Sequence, residues 1–232
     1  MRLLKNIFSA PPAAARSWRG NPAIVRVAPF VVFLALTFCQ GKLGPASAYW
    51  FYLAKTLVGA WLIWEMRPFV SEMRWAFSWE AVVVGMGIFA IWVGLDPYYP
   101  KFLTGGATGN PGDQFGVGSA LAWFFIAVHV VGMTFVVPPL EEVFYRSFLY
   151  RYVAKPDFLS VRLNQFLPWS FVVTAAVFGL VHPEWLPGII CGAAYQWLVL
   201  RKNRLGDAMT AHAITNFLLG VWIVWQGAWN FW

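Results

Sequence analysis

The chain has 232 residues, of which 59% are apolar, 19% aromatic and only 12% charged, with a mean hydropathy of +0.59. Soluble domains carry about 25% charged residues, so this composition excludes an ordinary water-soluble fold. The net charge of +7 would suit a nucleic-acid partner only if the cations were gathered on one surface, and their placement along the chain argues otherwise.

Residues 1–23 are basic, rich in Ala and Pro and free of acids. They lack the continuous apolar run of a secretory signal, and read as a cytoplasmic N-terminal segment, with an organellar transit peptide as the alternative. A helix that crosses the hydrocarbon needs about 20 mainly apolar residues, because every backbone polar group must be paired within the segment. Stretches of this kind run from Ile24 to Gln40, Ala46 to Trp64, Trp79 to Leu95, Gly118 to Leu140, Phe166 to Val181, Leu186 to Leu200 and Ala208 to Trp229. The expected fold is therefore an all-α polytopic transmembrane helix bundle of about seven spans, six to eight by this count.

With the N-terminus inside, Arg2, Lys5, Arg16, Arg19, Arg26, Arg67, Arg74, Arg146, Arg151, Lys155, Arg162, Arg201, Lys202 and Arg204 all fall on the cytoplasmic side. Lys42 and Lys101 lie in outer loops, and Lys55 lies within the second span. This is the asymmetry of the positive-inside rule. The charge reports topology, so no nucleic-acid partner is expected, and the bilayer itself is. Cys39 and Cys191 both sit in apolar segments, where packing is the default role and a disulfide is not expected.

The polar, glycine-rich stretch from Asp96 to Val117 reads as an outer loop. It separates N-terminal spans and loop (24–117) from a C-terminal membrane domain (118–232) that holds all three histidines. An unpaired ionisable group is costly inside a bilayer, so the second half is where function is expected.

Three clusters stand out there. In Glu141-Glu142-Val143-Phe144-Tyr145-Arg146, Glu142 and Arg146 are four apart and share a helical face. Glu141 is turned by about 100° from that face, which leaves one acid neutralised and the other free; solvated charges at a helix end are the plain alternative. His182 ends an apolar run and can either cap a helix or face a site. His212 and Asn216 share a face of the last span, where they either bond neighbouring helices or serve chemistry. His129, with no polar companion nearby, reads as a buried packing residue. Together a carboxylate, a histidine and two further polar tips are the parts needed to activate water and stabilise an oxyanion. No His-Glu-x-x-His zinc signature occurs.

Glu-Glu-x-x-x-Arg at 141–146, Phe-x-x-x-His at 178–182 and His-x-x-x-Asn at 212–216 resemble, in order and spacing, the three motifs of the CPBP family. These are intramembrane proteases that include type II CAAX prenyl endopeptidases and bacteriocin-processing or immunity proteins. The resemblance covers Gly118 to Leu219, about half the chain. It implies a membrane endopeptidase in which Glu141 and His182 act on the attacking water, His212 and Asn216 form the oxyanion site, and Glu142 and Arg146 support them. The implied substrate is a membrane-associated, possibly lipidated protein cleaved near its C-terminus or leader, in a bacterial inner (plasma) membrane. A metal-free glutamate route is preferred, because Asn is an uncommon zinc ligand; zinc held by Glu141, His182 and His212 is the alternative. A proton-coupled transporter and a non-enzymatic scaffold are the competing functions. One conflict of depth arises: Glu141 at the inner end of the fourth span and His182 at the far end of the fifth would lie about 24 Å apart. It is resolved if the fourth helix continues past Pro139 towards Ala154 and the His182-Pro183 turn lies within the bundle.

Overall fold

A computed structural model describes residues 20–101 and 109–232; the reading of residues 1–19 and of the glycines at 105 and 106 lies outside them. The described residues are helical with no strand. Seven longer helices carry the fold: α1 (Pro22–Phe38), α2 (Pro45–Met66), α3 (Trp79–Leu95), a long α4 (Ala120–Ala154), α5 (Pro168–Leu180), α6 (Trp185–Lys202) and α7 (Gly206–Gln226). Local chemistry sets several starts. The Asn21 side chain accepts from the backbone N–H of Ala23 and Ile24 with Pro22 at the first helical position, and Ser78 accepts from Ala81 N–H. Both satisfy donors that a helix N-terminus leaves orphaned.

Three stretches, Trp79–Tyr98, Ala120–Ala154 and Gly206–Gln226, are long and apolar enough to cross a membrane, while Pro22–Phe38 and Pro168–Leu180 are apolar but shorter. Val31, Val83, Phe135, Val172 and Val221, from five different helices, stand exposed. Apolar surface of that breadth is a liability in water and suits lipid. The protein is an integral membrane helix bundle.

The expected fourth span, Gly118 to Leu140, is longer in the structure. The helix passes Pro138 and Pro139 and ends at Ala154. Proline withholds an N–H from the helical ladder, and here the ladder widens into π-helical turns over Gly132–Val136, and again over Val143–Leu149, with a short α segment, Val137–Glu142, between them. Such π segments are frequent at functional sites. The resulting depth is consistent. Glu141 precedes Ala154 by 13 residues and His182 follows Pro168 by 14, so each lies about 20 Å from the same end of the bundle.

Small residues let α5 and α6 pack backbone to backbone. A Cβ on Gly188 would stand 2.9 Å from Gly179 Cα, and one on Gly192 would stand 3.0 Å from Ala175 Cα. The loop after α2 and the start of α7 meet in the same way, since a Cβ on Gly206 would overlap the backbone of Arg74 and Ala76. At one end of the bundle Arg26 of α1 and Arg151 of α4 both bond Glu72 of the α2–α3 loop, and Lys202 of α6 reaches Glu80 of α3 at 2.6 Å. Within the membrane half, Lys55 donates to Gln40 Oε1 (3.1 Å) and Thr37 Oγ1 (3.2 Å) and lies over the Tyr52 ring.

Candidate active site

Between α3, α4, α6 and α7 lies a cavity of about 320 Å³ whose wall includes Glu141, His182, His212 and Asn216. The four residues singled out in the sequence thus line one space, although they come from α4, the α5–α6 turn and α7.

Each is held by a traceable local cause. His182 begins the turn that ends α5. Its backbone N–H goes to Gly179 O (3.0 Å), which leaves the Phe178 carbonyl without its usual i+4 donor, and the His182 ring takes that place with Nδ1 at 2.6 Å. A carbonyl can only accept, so Nδ1 carries the proton and Nε2 keeps its lone pair. Capping and presentation are one arrangement here. His212 is fixed in the same sense: its Nδ1 lies 2.9 Å from Glu142 Oε1, and a carboxylate accepts, so Nε2 is again the free nitrogen.

Glu142 is fully buried, with Arg146 Nε 3.2 Å from its second oxygen. That contact brings the charges together without hydrogen-bond alignment, and Arg146 Nε and Nη1 have no aligned acceptor. The guanidinium is also held over the Phe178 ring at 4.4 Å, and its Nη2 lies 3.4 Å from Gly192 O. The i,i+4 pair expected from sequence is present, with a third member, His212, that spacing could not show.

Asn216 Nδ2 donates to Met133 O at 2.7 Å. Val137 N–H, the α-helical partner of that carbonyl, is drawn to Gly132 O by the π turn, and the next residue along is Pro138, which has no N–H. Asn216 therefore satisfies a carbonyl orphaned by the proline pair, and its second amide N–H remains for the cavity. Glu141 lines the cavity with Oε2 buried and without a hydrogen-bond partner. A buried, unpaired carboxylate oxygen that shares a cavity with two imidazoles is suited to polarise water.

Sequence reasoning passed over several neighbours. Tyr195 OH donates to Thr215 Oγ1 (2.7 Å), which in turn lies 2.8 Å from Gly85 O, and the Tyr195 ring stands 5.2 Å from His212. Thr215 sits between His212 and Asn216 in sequence, and its hydroxyl in an apolar helix was a usable signal. Glu184, buried in the turn after His182, also lines the cavity, as do Trp92, Phe231 and Trp232. His129 is stacked between Tyr52 (4.0 Å) and Trp232 (3.8 Å), outside the cavity wall.

Glu141, His182 and His212 share a cavity, yet among the described residues no three His, Cys, Asp or Glu side chains converge as a metal-binding group.

Residues 122–218 match the family model described as type II CAAX prenyl endopeptidase Rce1-like. Over this segment, less than half of the chain, the protein is similar to the type II CAAX prenyl endopeptidases. Helices α1–α3 and residues beyond 218 lie outside the match. No curated protein and no solved structure matches the chain.

Proposed function

We propose that the protein is an intramembrane endopeptidase that hydrolyses a peptide bond near the C-terminus or leader of a membrane-associated protein, using its own side chains. The observation that carries this reading is the meeting of Glu141, His182, His212 and Asn216 on one buried cavity. In the proposed reaction a water lies between Glu141 and His182 Nε2. Glu141 takes its proton as the oxygen attacks the carbonyl carbon, and the carbonyl electrons move onto oxygen. The free Asn216 N–H and His212, donating from Nε2 when it holds a second proton opposite Glu142, stabilise that oxyanion. As the C–N bond breaks, the proton on Glu141 passes to the leaving amine.

The test is cleavage of lipidated and unlipidated membrane-tail peptides by the purified protein, with products read by mass spectrometry. Glu141→Gln is expected to lower kcat by about 10²–10⁴-fold with thermal unfolding unchanged; an unaltered rate overturns the assignment. A zinc chelator such as 1,10-phenanthroline is expected to leave the wild-type rate unchanged. Loss of activity that zinc restores would overturn the metal-free route.

A further inference from the structure

The cavity wall is electrostatically one-sided. Among the described residues it contains two carboxylates, Glu141 and Glu184, and no Lys or Arg. The proposed reaction uses Glu141 and leaves Glu184 unexplained. Glu184 is only 8% exposed, faces the cavity, and has no side-chain hydrogen-bond donor among the described residues; only its own backbone N–H serves it. The nearest lysine, Lys101, is already ion-paired with Asp96. A buried carboxylate without a directly paired cation is costly, and this one lines the space where a substrate would lie.

What surrounds it narrows the ligand. Trp92 of α3, and Phe231 and Trp232 beyond α7, line the same cavity. All three lie outside the family segment at 122–218. Trp92 stands edge-on to His182 at 5.8 Å, and Trp232 is braced by its stack on His129. Aromatic rings around a desolvated carboxylate make a site for an organic cation. A free C-terminal carboxylate, by contrast, would meet two like charges in the wall, where the nearby Lys101, held over the Phe231 ring at 5.6 Å, is already paired with Asp96.

We propose that Glu184 is a specificity-determining residue that receives a cationic side chain of the substrate, an arginine or lysine near the scissile bond, against the aromatic wall of Trp92, Phe231 and Trp232. This rests on the proteolytic reading of the same cavity, and the experiment separates the two. Matched tail peptides carry either arginine or its neutral isostere citrulline at each position flanking the bond. The wild type is expected to cleave one arginine peptide with kcat/KM about tenfold above its citrulline partner, the worth of one charge-assisted hydrogen bond. Glu184→Gln should collapse that ratio towards one, and Glu184→Arg should make a glutamate peptide better than the arginine peptide. A wild-type ratio near one at every position, or a ratio untouched by Glu184→Gln, overturns the proposal. If no peptide is cleaved, the proteolytic reading fails, and anisotropy of labelled peptides bound in detergent decides the cation site alone. Tighter binding of arginine than citrulline, lost in Glu184→Gln, upholds it; equal binding overturns it.

Discussion

Glu142 has His212 on one carboxylate oxygen and Arg146 on the other, with no solvent exposure on either member of the ion pair. Removing one partner of such a pair leaves a buried charge uncompensated, at a cost of about 3–5 kcal/mol. Arg146→Met is therefore expected to lower stability by about that amount, measured by thermal unfolding in detergent, and Arg146→Lys to recover little of it. The guanidinium carbon lies 4.4 Å from the centre of the Phe178 ring, a contact that a lysine ammonium on a flexible stem does not reproduce. Adding Glu142→Gln to Arg146→Met should restore part of the loss, because the orphaned charge is then gone. The pair was legible in the sequence because four residues separate its members. The His212 contact was not, because the two lie 70 positions apart and helix periodicity says nothing about which helices adjoin. Glu184 escaped notice for a related reason: beside a proline in a turn, it has no partner at helical spacing to mark it.

The hairpin of α5 and α6 shows how an element places a residue. A Cβ on Gly179 would stand 2.5 Å from Ile189 N and 2.6 Å from Trp185 O, both backbone atoms that cannot swing aside. Gly179→Ala must push the two helices apart, and the turn that moves carries His182. The expected cost is about 1–3 kcal/mol of stability and, for a displacement near 1 Å, about 10²-fold in the rate of a single turnover. Gly87→Ala in α3 is the control, since nothing lies within 4 Å of its Cβ; it should be neutral or slightly stabilising. Six of the seven helices start and end close to the apolar runs that announce them, and three of the seven are long and apolar enough to cross a membrane. The fourth is the exception at its C-terminal end. Pro138-Pro139 followed by charges carries the local signature of a helix end, and only the π turns and the Asn216 amide, neither visible in the sequence, let the helix continue.

At the scale of the molecule, Arg26, Arg151 and Lys202, expected on one side, share one end of the bundle, whereas Arg146, expected with them, lies buried in the interior against Glu142; one acid ties three parts of the chain together at that end. Glu72 Oε1 accepts from Arg26 Nη2 (2.8 Å), Arg151 Nη2 (3.0 Å) and the Ser147 hydroxyl, joining α1, the α2–α3 loop and the end of α4. Burial works against its ionisation, but Arg26 and the bonds from Ser147 and Arg26 outweigh it and hold the carboxyl below its ordinary range. A carboxyl depressed on folding adds stability that is fully present above its unfolded pKa and is lost as the pH falls through the folded value. Glu72→Gln is accordingly expected to cost about 1.5–3 kcal/mol at neutral pH, the range for hydrogen bonds to a charged group. The gap between wild type and variant should hold down to the ordinary carboxylate range and close below it, as protons neutralise the wild-type acid. Unfolding temperatures in detergent from pH 7 to pH 3 measure both curves. A gap that stays constant to the acid limit would mean that Glu72 acts by packing rather than by charge, and that the arginines at this end of the bundle are held by something else.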